Sequence, residues 1–130
     1  MNINEKLEQG LQLHKAGDID EAQSIYSEII KADPKNHSAY YLNSIIFFGK
    51  GLVTESLYMI EKAVSISPNN IDYLYNYSNI LFQTKSFDKT IQVCNKILEI
   101  SPRTHQAYQN LGASYQAQKK HQLAINAYLN

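Results

Sequence analysis

The sequence predicts an all-α fold of about eight helices, arranged as two-helix hairpins. Three observations support this prediction: proline recurs at a fixed spacing, small residues recur at fixed places within that spacing, and no segment alternates apolar and polar residues as a half-buried strand does. The only prolines are Pro34, Pro68 and Pro102, which follow one another at intervals of 34 residues. We therefore expect a structural repeat of 34 residues.

Fixed positions within this repeat carry the same kind of residue. With proline at position 32, the repeats span residues 3–36, 37–70 and 71–104, and a partial repeat spans 105–130. Positions 8 and 20 are always small: Gly10, Ser44, Ser78 and Gly112, then Ala22, Ser56, Thr90 and Ala124. Positions 11, 24 and 27 are mostly large and apolar. Two antiparallel helices approach closely where small side chains meet, so each repeat is predicted to be a helical hairpin.

Capping and turn residues give the predicted helix limits. The helices are expected over residues 4–16, 20–33, 37–49, 54–66, 71–84, 88–100, 105–118 and 122–130. The expected N-caps are Asn36, Asn70 and Thr104 before the first helix of a hairpin, and Asp20, Thr54 and Asp88 before the second. Gly17 and Gly51 indicate left-handed turns inside the first two hairpins. Lys85 stands at that place in the third hairpin, which predicts a turn closed in a different way.

Composition excludes several classes of protein. Twelve acidic and twelve basic residues balance, whereas a nucleic-acid binder normally carries an excess of lysine and arginine. One cysteine permits no internal disulfide, which suits a reducing compartment. The sequence shows no secretory signal and no apolar run long enough to span a bilayer. We expect a cytoplasmic protein that binds neither nucleic acid nor membranes.

No motif for catalysis or metal binding is present. The sequence lacks the nucleophile elbow, the phosphate-binding loop and the zinc-protease motif, and its four histidines have no metal-ligand spacing. His121 occupies a packing position and Cys94 a core position, so both are predicted to be structural. We expect no enzyme activity, no cofactor and no metal.

The repeated positions resemble the tetratricopeptide repeat (TPR) family. The segments AYQNLGASY at 107–115 and AGDIDEA at 16–22 are especially similar to that family's pattern, and the resemblance covers essentially the whole chain. It implies a right-handed α-solenoid, one domain over residues 1–130, and a concave face lined by the first helix of each hairpin. Because the last hairpin stops at repeat position 26, the chain is predicted to be a fragment of a longer protein.

The resemblance also suggests a binding site on the concave face. The candidate binding residues are Tyr41, Ile45, Phe48, Tyr75, Asn76, Asn79, Phe82 and Asn110. Exposed aromatic residues there indicate a partner site, although the rings could instead cover neighbouring side chains or pack against helices further along the chain. In some relatives, asparagines at position 6 bind an extended peptide backbone. In this chain that position holds Asn76 and Asn110 in the third and fourth repeats. Ordinary solvated polar residues are the alternative interpretation.

Three functions remain open. The first is a protein-interaction scaffold that binds a peptide or a partner helix in the groove. The second is a substrate-selecting or dimerising leader of a glycosyltransferase whose catalytic domain lies beyond residue 130. The third is self-assembly into homo-oligomers through the C-terminal edge, near Ile125, Tyr128 and Leu129. Recognition of a peptide's terminal carboxylate, known for chaperone-binding relatives, is not expected, because no lysine or arginine occupies the equivalent positions.

Overall fold

The computed structural model describes residues 1–130 and contains eight α-helices and no β-strand. The helices are α1 (Ile3–Lys15), α2 (Ile19–Ala32), α3 (His37–Gly49), α4 (Val53–Ile66), α5 (Ile71–Gln83), α6 (Phe87–Ile100), α7 (His105–Ala117) and α8 (His121–Tyr128). Every predicted helix is present, with ends displaced by two residues at most. The all-α helical repeat fold is confirmed.

The chain divides into two compact units. Unit 1 comprises Met1–Ser67 and holds α1 to α4, and unit 2 comprises Pro68–Asn130 and holds α5 to α8. Within unit 1, α1 packs on α2, α2 on α3, and α3 on α4. Within unit 2, α5 packs on α6, α6 on α7, α7 on α8, and α5 also contacts α7. Each unit is therefore a pair of helical hairpins joined through the middle helices.

The small residues at positions 8 and 20 are buried in all four hairpins, as predicted. In the second hairpin, the Ser56 hydroxyl donates a hydrogen bond of 2.7 Å to the carbonyl oxygen of Ser44, which directly joins the two small positions. In the first hairpin, a Cβ added to Gly10 would lie 2.6 Å from the ring of Tyr26. Helices that approach this closely exclude larger side chains at these positions.

The predicted core positions supply the buried apolar side chains. At position 27, Ile29, Ala63 and Ile97 are fully buried. Burying an isoleucine side chain stabilises a fold by about 1.5–3 kcal/mol, so this position contributes to both units. Cys94 lies in the core of unit 2 with Leu111, and burial raises the pKa of its thiol to about 11. Its predicted role as a core residue is confirmed.

Helix capping follows the prediction in part. The side chains of Asn36 and Asn70 accept hydrogen bonds from the backbone N–H groups of Ala39 and Tyr73, at 3.0 and 3.2 Å. Thr104 is the N-cap residue of α7, but its side chain makes no capping hydrogen bond and its hydroxyl donates to the carbonyl oxygen of Ser101 at 2.9 Å. The predicted capping hydrogen bond of Thr104 is absent because this bond within the preceding turn competes with it.

The second helix of each hairpin begins earlier than predicted. Its N-caps are Asp18, Leu52, Ser86 and Lys120, and none of these side chains makes a capping hydrogen bond. Asp20, Thr54 and Asp88 lie inside the first helical turn and are not caps. Asp20 and Asp88 still stabilise their helices there, since negative charge is favourable near a helix N-terminus.

The turn inside the third hairpin is closed in the same way as the others, contrary to the prediction. Lys85 has φ of 61°, and Lys119 in the fourth hairpin has the same value. Gly17 and Gly51 have φ of 88° and 77°. In each turn the left-handed residue lets the next backbone N–H donate to a carbonyl oxygen five residues earlier, at 2.8–2.9 Å.

Exposure at the end of the chain differs from the prediction at one residue. His121 is exposed and does not occupy a packed position. Leu123, Ile125, Tyr128 and Leu129 are also exposed, with Leu129 80% accessible to solvent. No helix has both the length and the apolar character needed to cross a membrane.

Candidate functional site

Three candidate binding residues of unit 1 lie on α3. Tyr41 and Ile45 are half-buried, and Phe48 is 36% exposed. Residues three and four apart lie on the same side of a helix, so the three side chains form one stripe along α3. This stripe offers apolar surface with a single phenolic hydroxyl.

An apolar cleft of about 410 Å³ lies at the end of this stripe. It is formed by the end of α1, the start of α2 and the end of α3, through His14, Ile19, Ile45, Ile46, Gly49 and Lys50. Ile45 is the candidate residue that the structure places in its wall. Gly49 adds no side chain to this lining, and a Cβ added there would meet no other atom within 4 Å.

Lys50 joins the two hairpins of unit 1 beside the cleft. Its ammonium group donates hydrogen bonds to Asp20 Oδ1 at 2.7 Å and to Gln23 Oε1 at 2.9 Å. The hydrogen bond and the charge of Lys50 hold the pKa of the Asp20 carboxyl below its usual value. Although Asp20 is almost fully exposed, its charge is balanced by Lys50.

The aromatic candidates of unit 2 are half-buried. The Phe82 ring meets the Phe87 ring edge to face, with centroids 5.5 Å apart and planes at 64°. Phe82 therefore covers the start of α6, which is the packing interpretation left open for these rings. Tyr75 is half-buried on the same helix, and its carbonyl oxygen accepts a hydrogen bond of 2.6 Å from Ser78.

Two of the three candidate asparagines are joined directly. Asn110 Nδ2 donates to Asn79 Oδ1 at 2.7 Å and to Ser78 Oγ at 3.0 Å. Asn76 makes no hydrogen bond to either amide, so the pair is Asn79 with Asn110. After this bond, Asn110 Oδ1 remains an acceptor and the Asn79 amide keeps its N–H donors. One donor and one acceptor match the hydrogen-bonding groups of a peptide unit.

Sequence reasoning did not name the other residues that line the cleft. His14 and Gly49 lie in the first helices of their hairpins, which the resemblance places on the concave face, so that signal was available in the sequence. Ile19 and Lys50 lie at the turns of their hairpins, and only the structure brings them beside α3. No group of three or more histidine, cysteine, aspartate or glutamate side chains is arranged to hold a metal ion.

Two family models match the chain. A model described as "Tetratricopeptide repeat" matches residues 7–71, and one described as "Anaphase-promoting complex, cyclosome, subunit 3" matches residues 49–130. The chain belongs to the tetratricopeptide repeat family. The repeat position of each residue can therefore be compared directly with those of other TPR proteins.

The similarity to curated relatives covers only part of each relative's length. The Hsp70-Hsp90 organising protein of Plasmodium falciparum is 32% identical over 89 residues, covering 63% of this chain and 16% of that protein. The BBSome complex member BBS4 homolog of Drosophila melanogaster is 27% identical over 103 residues, covering 79% and 21%. Human DnaJ homolog subfamily C member 3 is 23% identical over 130 residues, covering 98% and 26%. This chain thus spans about a quarter or less of these relatives.

Solved structures of similar fold include MamA. A crystal structure of MamA superposes with a TM-score of 0.91 at 20% identity, covering 98% of this chain and 74% of that one. MamA 41-end from Desulfovibrio magneticus RS-1 superposes with a TM-score of 0.88 at 18% identity, covering 98% and 72%. At this identity the likeness shows the fold alone.

Proposed function

We propose that this chain is a protein-interaction scaffold that binds an extended peptide or a partner helix along the first helices of its hairpins. Tyr41, Ile45 and Phe48 of unit 1 would contact the partner, together with Tyr75, Asn76, Asn79, Phe82 and Asn110 of unit 2. Binding would use a preformed surface and involve no chemical step.

The observation that carries this proposal is the incomplete burial of all eight candidate residues. Helix packing leaves these large side chains only partly covered: Phe48 is 36% exposed and the other seven are half-buried. Partly exposed aromatic and aliphatic side chains are suited to anchor a partner, because they provide large contact area at low entropic cost. The relatives named as an organising protein and as a complex member are compatible with such a role.

The chemistry of the expected partner differs from that of a peptide held by its terminal carboxylate. Gripping a carboxylate requires charged donors. The eight candidate residues include no lysine, arginine or histidine. The Asn79–Asn110 amide pair would instead hydrogen-bond the neutral backbone of an extended segment.

A library of random extended peptides displayed on phage tests this proposal. We expect selection against the purified chain to enrich a common motif, and the enriched peptide to bind Phe48→Ala and Asn79→Ala at least tenfold more weakly. Tyr58→Ala is the matched control, since Tyr58 is a 57% exposed aromatic residue on α4, the second helix of its hairpin.

Two results would contradict the proposal. One is a library that yields no binder after repeated selection. The other is a binder whose affinity falls with Tyr58→Ala and is unchanged by Phe48→Ala, which would place the site on the second helices.

Self-association through α8 is a second candidate function. The exposed side chains Leu123, Ile125, Tyr128 and Leu129 lie on or just after this short helix, and an apolar surface of this kind favours association. Sedimentation velocity at increasing concentration tests it: Leu129→Lys should reduce the sedimentation coefficient if the helix is the contact. A monomer at every concentration would exclude this function for the isolated chain.

A further inference from the structure

We infer that the apolar cleft of unit 1 receives an aliphatic side chain of the partner, and that a lysine or arginine follows or precedes that side chain in the partner sequence. This inference rests on the proposed function and specifies which peptide the scaffold would select. It concerns unit 1 alone, and its evidence is the shape of the cleft and the charges beside it.

The walls of the cleft indicate an aliphatic occupant. Ile19, Ile45 and Ile46 supply branched apolar surface from two different helices, and Gly49 adds no side chain to the lining. Ile46 is 3% exposed and belongs to the core of unit 1, so its part of the wall is rigid. A preformed apolar cleft with few polar groups favours a side chain such as leucine or isoleucine.

The charges next to the cleft indicate a basic neighbour. A second depression, of about 280 Å³, lies at the N-terminal end of α2 and shares Ile19 with the cleft. Asp18, Asp20 and Glu21 line this depression. Lys50 neutralises Asp20, whereas Asp18 and Glu21 have no cationic partner.

The two carboxylates lie at the N-terminal end of α2, where their charge is favourable to the helix, and neither is neutralised by a cation. Asp18 is the N-cap residue of α2, but its side chain makes no capping hydrogen bond. The segment 15–21 contains one cationic residue, Lys15, and three carboxylates. Local charge therefore remains negative after Lys50 is counted, and it complements a partner lysine or arginine placed beside the aliphatic residue.

Three synthetic peptides, equal in length and labelled with fluorescein, test the inference by fluorescence anisotropy. In a glycine–serine background, the first carries a central Leu-Lys pair, the second Ala-Lys and the third Leu-Glu. We expect the Leu-Lys peptide to bind best. The Ala-Lys peptide should bind about tenfold more weakly, because it leaves the cleft unfilled. The Leu-Glu peptide should bind at least about threefold more weakly, with a difference that shrinks as salt is added.

A substitution that places a larger side chain in the lining of the cleft tests the same inference from the protein side. Gly49→Leu should weaken binding of the Leu-Lys peptide about tenfold and leave the thermal melt unchanged or higher, since leucine is a better helix residue than glycine. Ala117→Leu is its control, because Ala117 is exposed and ends α7 as Gly49 ends α3. This control should bind the peptide as the original chain does.

A pair of charge variants tests the basic neighbour. Asp18→Asn combined with Glu21→Gln should abolish the preference for Leu-Lys over Leu-Glu, while the exposed pair Glu55→Gln with Glu99→Gln should preserve it.

Several results would overturn the inference. These are no saturable binding of the Leu-Lys peptide, equal binding of Ala-Lys, tighter binding of Leu-Glu, or a Gly49→Leu variant with unchanged affinity. Loss of a homodimer in Gly49→Leu would also overturn it, by making a second copy the occupant. The phage library distinguishes this failure from failure of the proposed function, because a selected motif without an aliphatic–basic pair contradicts the inference alone.

Discussion

Unit 1 and unit 2 close their hairpin turns in the same backbone geometry with different residues. Unit 1 uses Gly17 and Gly51, and unit 2 uses Lys85 and Lys119, all with φ between 61° and 88°. A lysine pays a steric penalty in this region that glycine avoids. The difference indicates that helix packing and the turn's backbone hydrogen bonds impose the left-handed conformation. We expect glycine to make the turn more stable without being required for it.

The candidate site also differs between the two units at equivalent positions. Ile45 in unit 1 and Asn79 in unit 2 both occupy repeat position 9. The isoleucine contributes to an apolar cleft, whereas the asparagine is hydrogen-bonded to Asn110. The same backbone framework therefore presents an apolar surface in one unit and a backbone-like amide pair in the other.

The largest expected effect tests the close approach of helices in the two units. Gly10 and Gly112 occupy position 8, and an added Cβ would lie 2.6 Å from the ring of Tyr26 or Tyr128. Tyr26 is fully buried and cannot move away, whereas Tyr128 is 48% exposed and can rotate. Gly10→Ala should therefore lower the free energy of unfolding by about 1–2 kcal/mol, even after the gain in helix propensity.

Gly112→Ala is the matched variant for this prediction. We expect this substitution to change the free energy of unfolding by less than about 0.5 kcal/mol, because rotation of Tyr128 relieves the overlap and alanine favours the helix. Urea unfolding monitored by circular dichroism measures both values. Equal destabilisation by the two substitutions would show that the exposed tyrosine is as firmly held as the buried one.

These contacts also show how much of the structure could be predicted from the sequence. The small residues at positions 8 and 20 predicted where helices meet, because periodic spacing and steric size are both visible in the sequence. The turn at Lys85 was predicted wrongly, since the left-handed conformation there is imposed by packing and not by the residue's own preference. Thr104 was predicted to accept a capping hydrogen bond from a backbone N–H, but its hydroxyl is oriented to donate to the carbonyl oxygen of Ser101. The cleft was missed because Ile19 and Lys50 come from turns that only folding brings beside Ile45.

The turn residues provide the next prediction. Replacing Lys85 with glycine should raise the free energy of unfolding by up to about 1 kcal/mol, since it removes the strain of a non-glycine residue at positive φ. Gly51→Lys should lower it by a similar amount. Thermal unfolding of the two variants measures the effect. If Lys85→Gly is neutral, the greater flexibility of glycine in the unfolded chain cancels the relief of strain, and the two turns are equivalent in energy.

A smaller effect is expected at the tyrosines of position 24. Tyr128 donates a hydrogen bond from its hydroxyl to Gln116 Oε1 at 3.2 Å. In unit 1, His14 occupies the position of Gln116, and the buried hydroxyl of Tyr26 has no hydrogen-bond partner. Burial also raises the pKa of Tyr26 to about 12.

His14→Gln should supply the missing acceptor in unit 1. The expected result is a gain of about 0.5–1 kcal/mol in the free energy of unfolding, as for a typical intramolecular hydrogen bond. His14→Leu is the control, because it offers no acceptor and should not produce the gain. A melting temperature that rises equally in both variants would attribute the change to packing and not to the hydrogen bond.

The smallest effect concerns the polar side-chain contact between hairpins. In unit 1 this contact is an ion pair, and in unit 2 it is a hydrogen bond from a neutral amide to a carboxylate. Lys50 donates to Asp20 at 2.7 Å, and at the equivalent repeat positions Gln118 donates to Asp88 at 2.5 Å. Lys50 lowers the pKa of Asp20 below 3.8. The folded state therefore favours the carboxylate, and the resulting stabilisation is present above the unfolded pKa and is lost as pH falls through the lowered folded value.

Lys50→Gln should convert the contact of unit 1 into that of unit 2. We expect the pKa of Asp20 to rise toward 3.8 and the stability at pH values below 3.8 to become less dependent on pH and on salt. The carbon-13 chemical shift of the Asp20 carboxyl, followed by NMR during an acid titration, measures the change. Gln118→Lys is the reciprocal variant and should make the contact of unit 2 sensitive to salt. An unchanged Asp20 titration in Lys50→Gln would mean that the ion pair does not persist in solution, and the two contacts would then be alike.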